Sequence, residues 1–407
     1  MKPVVLLVSQ AGQRTGLARV TCGIAVHLAP YCDMHVLGID CFDPQQTGLM
    51  AAGWTLHHNP LGYDVFAEMR LEQLLDTLQP DTVVLYNDVG VIERYFHALD
   101  CARHRSKVIG YCPVDGEFAH PDAVAPLLRL DALAVFTEFG RNAICKAAAH
   151  IGLASRAVFQ NISVIPHGLD LDDFHPCPPD QPDHARRRAA RCALLPGEPQ
   201  AWDGFWVLNA NRNQPRKRLD LTLEGFARFA AGKPDDVRLY LHTGMQEIGI
   251  DILRYAEILG ISRRLLLTRR DGQHPDCSSH HLNLIYNACD VGVNTAIGEG
   301  WGLVSCEHGA TMSAQIVPRH SACAEIWHGA ALLMEPAATV CGIMLQGRVI
   351  DPDNLADALQ RLYDDPEQRR QLAKAAHARV NNAAYRWPQV AAQWNSLLNL
   401  CNQPANL

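Results

Sequence analysis

The sequence contains no close pair of cysteines. Of its 14, the nearest two, Cys32 and Cys41, stand nine residues apart. That excludes zinc ribbons and CxxC redox motifs. It contains no Gly-x-Ser-x-Gly elbow and no P-loop lysine, so two common ways of building a nucleophile or a phosphate cradle are absent. Long apolar runs are missing too: Val4–Val8 leads straight into a loop and is too short to cross a bilayer. No secretory pattern precedes that run, and unpaired cysteines without an export signal point to a reducing cytoplasm. Excess positive charge is also lacking. With 36 Lys and Arg against 43 Asp and Glu, the net charge is -7, which argues against nucleic acid as a partner. The pairs His57-His58 and His280-His281 have no third ligand at a suitable spacing, so metal binding is not expected there. One basic run, Arg186-Arg187-Arg188 with Arg191, breaks the acidic trend. It reads as a solvated helix face, with peripheral contact to anionic lipid as the alternative.

What is present is a regular alternation. Short apolar runs, Val4–Ser9, His35–Asp40, Thr82–Asn87, Lys107–Tyr111 and Leu133–Thr137, read as buried parallel strands. Stretches with helical spacing, such as Phe66–Leu78 and Ile92–His104, lie between them. A proline-rich pause follows, from Pro166 to Asp203, and reads as a connection between domains. A second series then begins: Phe205–Ala210, Val237–His242, Leu265–Thr268, Val291–Asn294, Gln315–Pro318 and Ala331–Glu335. Helices near Pro352–Tyr363, Pro366–Ala384 and Trp387–Leu400 close the chain. A length of 407 residues suits two or three domains at about 150 residues each. The expected fold is α/β, with two parallel-sheet, Rossmann-like domains facing a central cleft. Ligands in such folds bind beyond the carboxyl ends of the strands. The expected boundaries are 1–170, a connection over 171–203, and 204–385. The closing helix, 386–407, is expected to pack back on the first domain.

Two segments carry the chemistry. After the strand ending at Asn294 comes Gly298-Glu299-Gly300-Trp301-Gly302-Leu303, then a helix carrying Glu307. A glycine-rich turn that opens a helix presents free N–H groups and the positive end of the helix dipole, which suits phosphate. Carboxylates there suit sugar hydroxyls. After the strand ending at Asn209 comes Arg212, then Arg216-Lys217-Arg218. Cations at a strand's carboxyl end suit a diphosphate, and this loop is expected at the same sheet edge as the glycine turn. Taken alone, an ordinary turn with solvated charges explains either segment.

In this order the two segments resemble the retaining glycosyltransferases of GT-B fold, family 4. The sequence Glu299-Gly300-Trp301-Gly302-Leu303 through Glu307 looks like the family's Glu-x7-Glu motif, with Trp301 where Phe is usual. Arg212 and Lys217 look like its Arg-x4-Lys pair. Ile165–Asp170 with Phe174 and Pro176, and Ile285–Val291, resemble further family segments. The resemblance implies a hexosyltransferase using a UDP- or GDP-linked sugar, without cofactor or metal. Arg212 and Lys217 would hold the diphosphate and Glu299 the donor sugar, with the Gly300, Trp301, Gly302 and Leu303 turn beside it. Glu307 would hold the ribose. The adjacent Arg216 is expected to matter much less, and Arg218 to exchange roles with Lys217 only on a one-residue shift.

The first half is expected to take a sugar, glycan or lipid-linked acceptor. The loop Ser9–Arg19 resembles the family's glycine loop, and the resemblance counts Gly16 among the donor-binding residues, although the usual Gly-Gly pair is absent and a plain strand-to-helix turn explains the loop equally well. Asp115, after the strand ending at Tyr111, is carried over as the acceptor-facing group, with Asn87-Asp88 as a similar candidate. Thr137 reads as a helix cap. Asp170-Leu171-Asp172 and Asp351-Pro352-Asp353 formally match a metal-binding DxD pattern but fall in turns. Competing readings are an epimerase or phosphorylase on the same fold, and a non-catalytic nucleotide-sugar-binding protein.

Overall fold

The computed structural model describes residues 2–12, 15–43, 53–245, 247–270, 272 and 274–402. Gln13 and Arg14 of the first glycine loop, and residues 403–407 of the expected last helix, lie outside the described residues. The chain forms two compact units. One comprises Met1–Gly168, Ile343–Leu345 and Ala383–Leu407; the other comprises Leu169–Gly342 and Gln346–Asn382.

The first unit is built on a parallel sheet of β1 (Val4–Ser9), β2 (Asp33–Gly38), β3 (Thr55–His58), β4 (Thr82–Tyr86), β5 (Lys107–Cys112), β6 (Ala132–Val135) and β7 (Ser163–Val164). Its order is β3-β2-β1-β4-β5-β6-β7. β1 and β4 are buried almost throughout, as unbroken apolar runs require when helices cover both faces. β3 and β7 escape the sequence reading because they are short and only half buried. The helix expected over Ile92–His104 is instead a chain of short pieces, Val89–Ile92, a 3-10 turn Glu93–Tyr95, and Phe96–Cys101. Ile92, Tyr95 and Ala98 are all buried, and their three-residue spacing falls on one face when the chain tightens to three residues per turn.

The helix Trp387–Asn402 belongs to this first unit. Trp394 is buried edge-on against Tyr111, with ring centroids 4.9 Å apart. The Trp387 ring stacks on His27 at 5.3 Å and covers Gly168, where a Cβ would lie 2.2 Å from the indole. Glycine is therefore a packing requirement at that position.

The second unit carries β8 (Phe205–Asn209), β9 (Val237–Leu241), β10 (Leu265–Leu267), β11 (Val291–Val293), β12 (Ala314–Pro318) and β13 (Leu332–Met334). The sheet order is β10-β9-β8-β11-β12-β13, and neighbouring strands pair in parallel. An antiparallel hairpin, Pro336–Cys341 with Leu345–Ile350, follows; the sequence reading contained no such element.

Residues 171–203 are not a free connection. They fall within the second unit, where the helix Asp183–Leu194 packs on the helix Ser279–Ala288. The arginine run is not a solvated face either, and it does not present four cations to a membrane surface. Arg186, Arg187 and Arg191 are buried. Arg191 reaches Asp290 at 2.5 Å and the carbonyl oxygens of Ala288, Trp202 and Gly204 at 2.7–3.1 Å. Arg187 donates to the Met312 carbonyl and the Ser313 hydroxyl. Asp290 also accepts from the Trp206 amide at 2.8 Å. Burial raises its pKa, but the two arginines outweigh that and keep it below the ordinary carboxylate value. Charge buried in this way must be paired and hydrogen-bonded. Only Arg188 is exposed, paired with Asp203. Among the described residues, no helix is long and apolar enough to cross a membrane.

Candidate active site

The second unit assembles its site from the ends of neighbouring strands. β8 and β11 are adjacent in the sheet. The cation loop after β8 and the glycine turn after β11 therefore emerge side by side. That adjacency brings Lys217 Nζ to 2.5 Å from Glu299 Oε1, with both side chains almost fully buried. Arg216 Nη1 donates to the Gly298 carbonyl at 3.1 Å and lies 3.5 Å from Glu299 Oε2. Asn294, at the end of β11, donates to Glu299 Oε1 at 3.1 Å. The Glu299 amide donates to the Ser321 hydroxyl at 3.1 Å.

Burial alone would push the Glu299 carboxyl up. Lys217 and Arg216, with the hydrogen bonds from Lys217 and Asn294, more than reverse this and hold it at about 2. Glu299 is thus a fixed anion at neutral pH, and its charge is balanced before any ligand arrives. Arg216 belongs to this cluster, contrary to the expectation that it stands aside. Lys217 reaches Glu299 from a 3-10 turn, Pro215–Lys217, and Arg216 from the same turn; tighter winding lets both meet one carboxylate. Arg218 follows in a left-handed conformation, φ +48°, and binds Asp220 through Nε and Nη2 at 3.0 and 2.7 Å. It points to that partner rather than to Glu299. Arg212 is partly exposed, its Nε 3.3 Å from Glu247.

The glycine turn feeds the helix Leu303–Ala310 through Gly302, whose φ of +90° is disfavoured for other residues. Gly300 and Trp301 are buried in the turn; Gly302 and Leu303 are half buried. Glu307, on that helix, is buried and accepts a hydrogen bond from the Tyr286 hydroxyl at 2.9 Å. Beside it, burial drives the His308 imidazole down to about 3, so it is neutral, with Nδ1 3.0 Å from Gln315 Nε2.

Gly16 and Asp115 belong to the first unit. Gly16 begins the helix Gly16–Leu28, where the Thr15 side chain accepts from the Ala18 amide. The Ala11 and Gly12 amides of that loop are taken up by Asp40 at 2.8 and 2.9 Å. Asp115 is half buried in the loop after β5. Thr137 caps the helix Glu138–His150 by accepting from the Gly140 amide, as its sequence context suggests. Asp351 likewise caps the helix Pro352–Asp364, and Asp353 pairs with Arg228 at 2.7 Å; that DxD match has structural partners. His57 is spoken for by His35, at 2.9 Å. No group of three or more His, Cys, Asp or Glu that could hold a metal ion occurs among the described residues.

Sequence reasoning missed Asn294, Ser321 and Glu247. A polar residue ending an apolar strand was a usable signal for Asn294. Ser321 and Glu247 carried none, because their importance comes only from what they touch.

No protein-family model matches the chain. Among curated proteins, it is 28% identical over 237 residues to a D-inositol 3-phosphate glycosyltransferase of Corynebacterium urealyticum, covering 57% of this chain and 49% of that protein. A protein of the same name from Xylanimonas cellulosilytica is 28% identical over 239 residues, covering 58% and 50%. The chain thus spans about half the length of the curated relatives it matches. Among solved structures, Anabaena HepE in complex with UDP and glucose aligns with a TM-score of 0.72 at 15% identity, over 98% of this chain and 100% of that one. Sucrose-phosphate synthase from Thermosynechococcus elongatus aligns with a TM-score of 0.70 at 17% identity, over 98% and 99%. The resemblance drawn from the motifs is borne out in these terms: the chain has the GT-B fold of solved glycosyltransferases, and its curated relatives carry glycosyltransferase names.

Proposed function

We propose that the chain is a retaining hexosyltransferase of family 4. It takes a UDP- or GDP-linked sugar as donor and a sugar, glycan or lipid-linked acceptor, and it works in the cytoplasm. The carrying observation is the buried Lys217–Glu299 pair beside the glycine turn, with Arg216 on the same carboxylate. Glycosyl transfer breaks a bond to phosphate, so negative charge grows on the departing diphosphate. Cations and amides fixed beforehand stabilise that charge more in the transition state than in the ground state. Lys217, Arg216 and Arg212 supply the cations, and no divalent ion is required. Glu299 orients the donor sugar. Glu307, braced by Tyr286, takes the ribose hydroxyls. By the family resemblance, Asp115 is assigned to the acceptor and Gly16 to the donor-binding residues.

The relatives support the donor class. HepE has been solved with UDP-glucose, and the curated relatives are named D-inositol 3-phosphate glycosyltransferases. The test is incubation with radiolabelled UDP-glucose and GDP-mannose over a panel of sugar and lipid acceptors. Labelled product with an unchanged anomeric configuration by NMR supports the reading. Formation of an epimeric donor, or of sugar phosphate from added phosphate, replaces it with the epimerase or phosphorylase. Binding of nucleotide sugar without turnover on any acceptor favours the non-catalytic protein.

A further inference from the structure

Each cation of the basic loop has a distinct fate. Lys217 is buried against Glu299. Arg216 is committed to Gly298 and Glu299. Arg218 spends Nε and one Nη on Asp220. Arg212 differs. Its side chain is 40% exposed and held through Nε alone, and among the described residues its two Nη groups have no partner. An arginine fixed by Nε, with its terminal N–H groups open, can grip an oxyanion with two parallel hydrogen bonds.

The holder is Glu247, whose side chain is only 8% exposed. It sits in the loop after β9, next in the sheet to the strand that carries Arg212. This loop is tied to the basic loop through Asn213. The Asn213 side chain donates to the Ile250 carbonyl at 2.7 Å and accepts from the Ile250 amide at 3.0 Å, while the Asn213 carbonyl accepts from the Gly249 amide at 2.9 Å. Asn213 is itself 1% exposed. His274, in the loop after β10, approaches the same Glu247 oxygen at 3.5 Å. The other oxygen, Oε2, is buried without a partner among the described residues. The pair therefore forgoes a two-pronged grip: Glu247 engages Nε and leaves the fork of the guanidinium unspent.

We propose that Glu247 is a positioning residue which holds Arg212 by Nε so that its Nη groups bind the diphosphate of the ligand. This rests on the donor reading above and adds a residue to it. Arg212 supplies the contact with the anion; Glu247 acts only through Arg212.

The experiment is a double-mutant cycle on the full chain. UDP, GDP and inorganic pyrophosphate are titrated by calorimetry into the wild type, Arg212→Ala, Glu247→Ala, Glu247→Gln and the Arg212→Ala/Glu247→Ala double variant. Glu247→Ala should weaken binding about tenfold, the mid-range for coupled charged neighbours. Glu247→Gln keeps the acceptor oxygen and should lose less. The double variant should bind no more weakly than Arg212→Ala, since a positioning residue has nothing left to position. Equal affinity in wild type and Glu247→Ala, or losses that add in the double variant, overturns the inference while nucleotide binding by the wild type leaves the donor reading intact. Arg212-dependent binding of pyrophosphate together with no binding of either nucleotide removes the donor reading and keeps the inference. A wild type that binds none of the three anions removes both.

Discussion

Replacing Lys217 by Met removes one half of a buried ion pair and leaves the other in place. Breaking such a pair typically costs about 3–5 kcal/mol, because an uncompensated charge stays buried. Here Arg216 remains 3.5 Å from Glu299 and Asn294 still donates to it, so the low end, about 3 kcal/mol, applies. The acid side gives the same order of magnitude. A carboxyl held at about 2 against an ordinary 4.5 carries about 3 kcal/mol of stability at neutral pH. Since the folded value is depressed, that stability is fully present above pH 4.5 and is lost as the pH falls towards 2. The assay is urea denaturation of wild type and Lys217→Met at pH 7 and at successive values down to pH 3. Wild type should lose stability through the acid window, and the variant should lose markedly less there, having forfeited the interaction already. Adding Glu299→Gln should recover part of the loss at pH 7, because the stranded charge is gone. A loss below about 1 kcal/mol at pH 7, the size of a surface pair, refutes the reasoning. So does an identical acid dependence in the two proteins.

Other outcomes follow from neighbouring contacts. Glu307→Ala should weaken binding of the nucleoside diphosphate by about 1.5–3 kcal/mol, the usual cost of a charge-assisted hydrogen bond; unchanged affinity by calorimetry removes its ribose role. Arg212→Ala and Lys217→Ala should each lower turnover by about 10²–10³, more than they lower donor affinity. Arg216→Ala should now join them, given its contact with Glu299, and Arg218→Ala should not; steady-state kinetics at saturating acceptor decide both. Activity should survive EDTA, and complete loss restored by Mn²⁺ would overturn the metal-free reading. Arg191→Ala should destabilise the protein by about 3 kcal/mol, the low end for a broken buried pair, because Arg187 still neighbours Asp290 at 3.4 Å, whereas Arg188→Ala should change stability by less than about 0.5 kcal/mol, as thermal unfolding will show.

Much of the fold is legible because its signals are local. Val4–Ser9 is a strand in both readings, and Phe205–Asn209 and Val237–Leu241 each end one residue earlier than expected. Buried parallel strands need unbroken apolar runs, which a sequence displays openly. The weaker elements do not. The half-buried β3 and the hairpin Pro336–Cys341 with Leu345–Ile350 lack such runs, and their pairing depends on neighbours distant in the chain.

For the candidate site, the sequence by itself determined the residue types and their order: a basic loop after one strand, a glycine turn with two glutamates after another. Strand order then decided what those residues do. Lys217 and Glu299 are 82 positions apart, and they meet because β8 and β11 are adjacent. The same dependence explains the arginine run. A helix bearing Arg186, Arg187 and Arg191 reads alike whether its face meets water or protein. Asp290, 99 residues beyond Arg191, turns that face inward, because charges buried together must find each other in space before the chain can afford to bury them. The sequence names the charges, and only the tertiary structure pairs them.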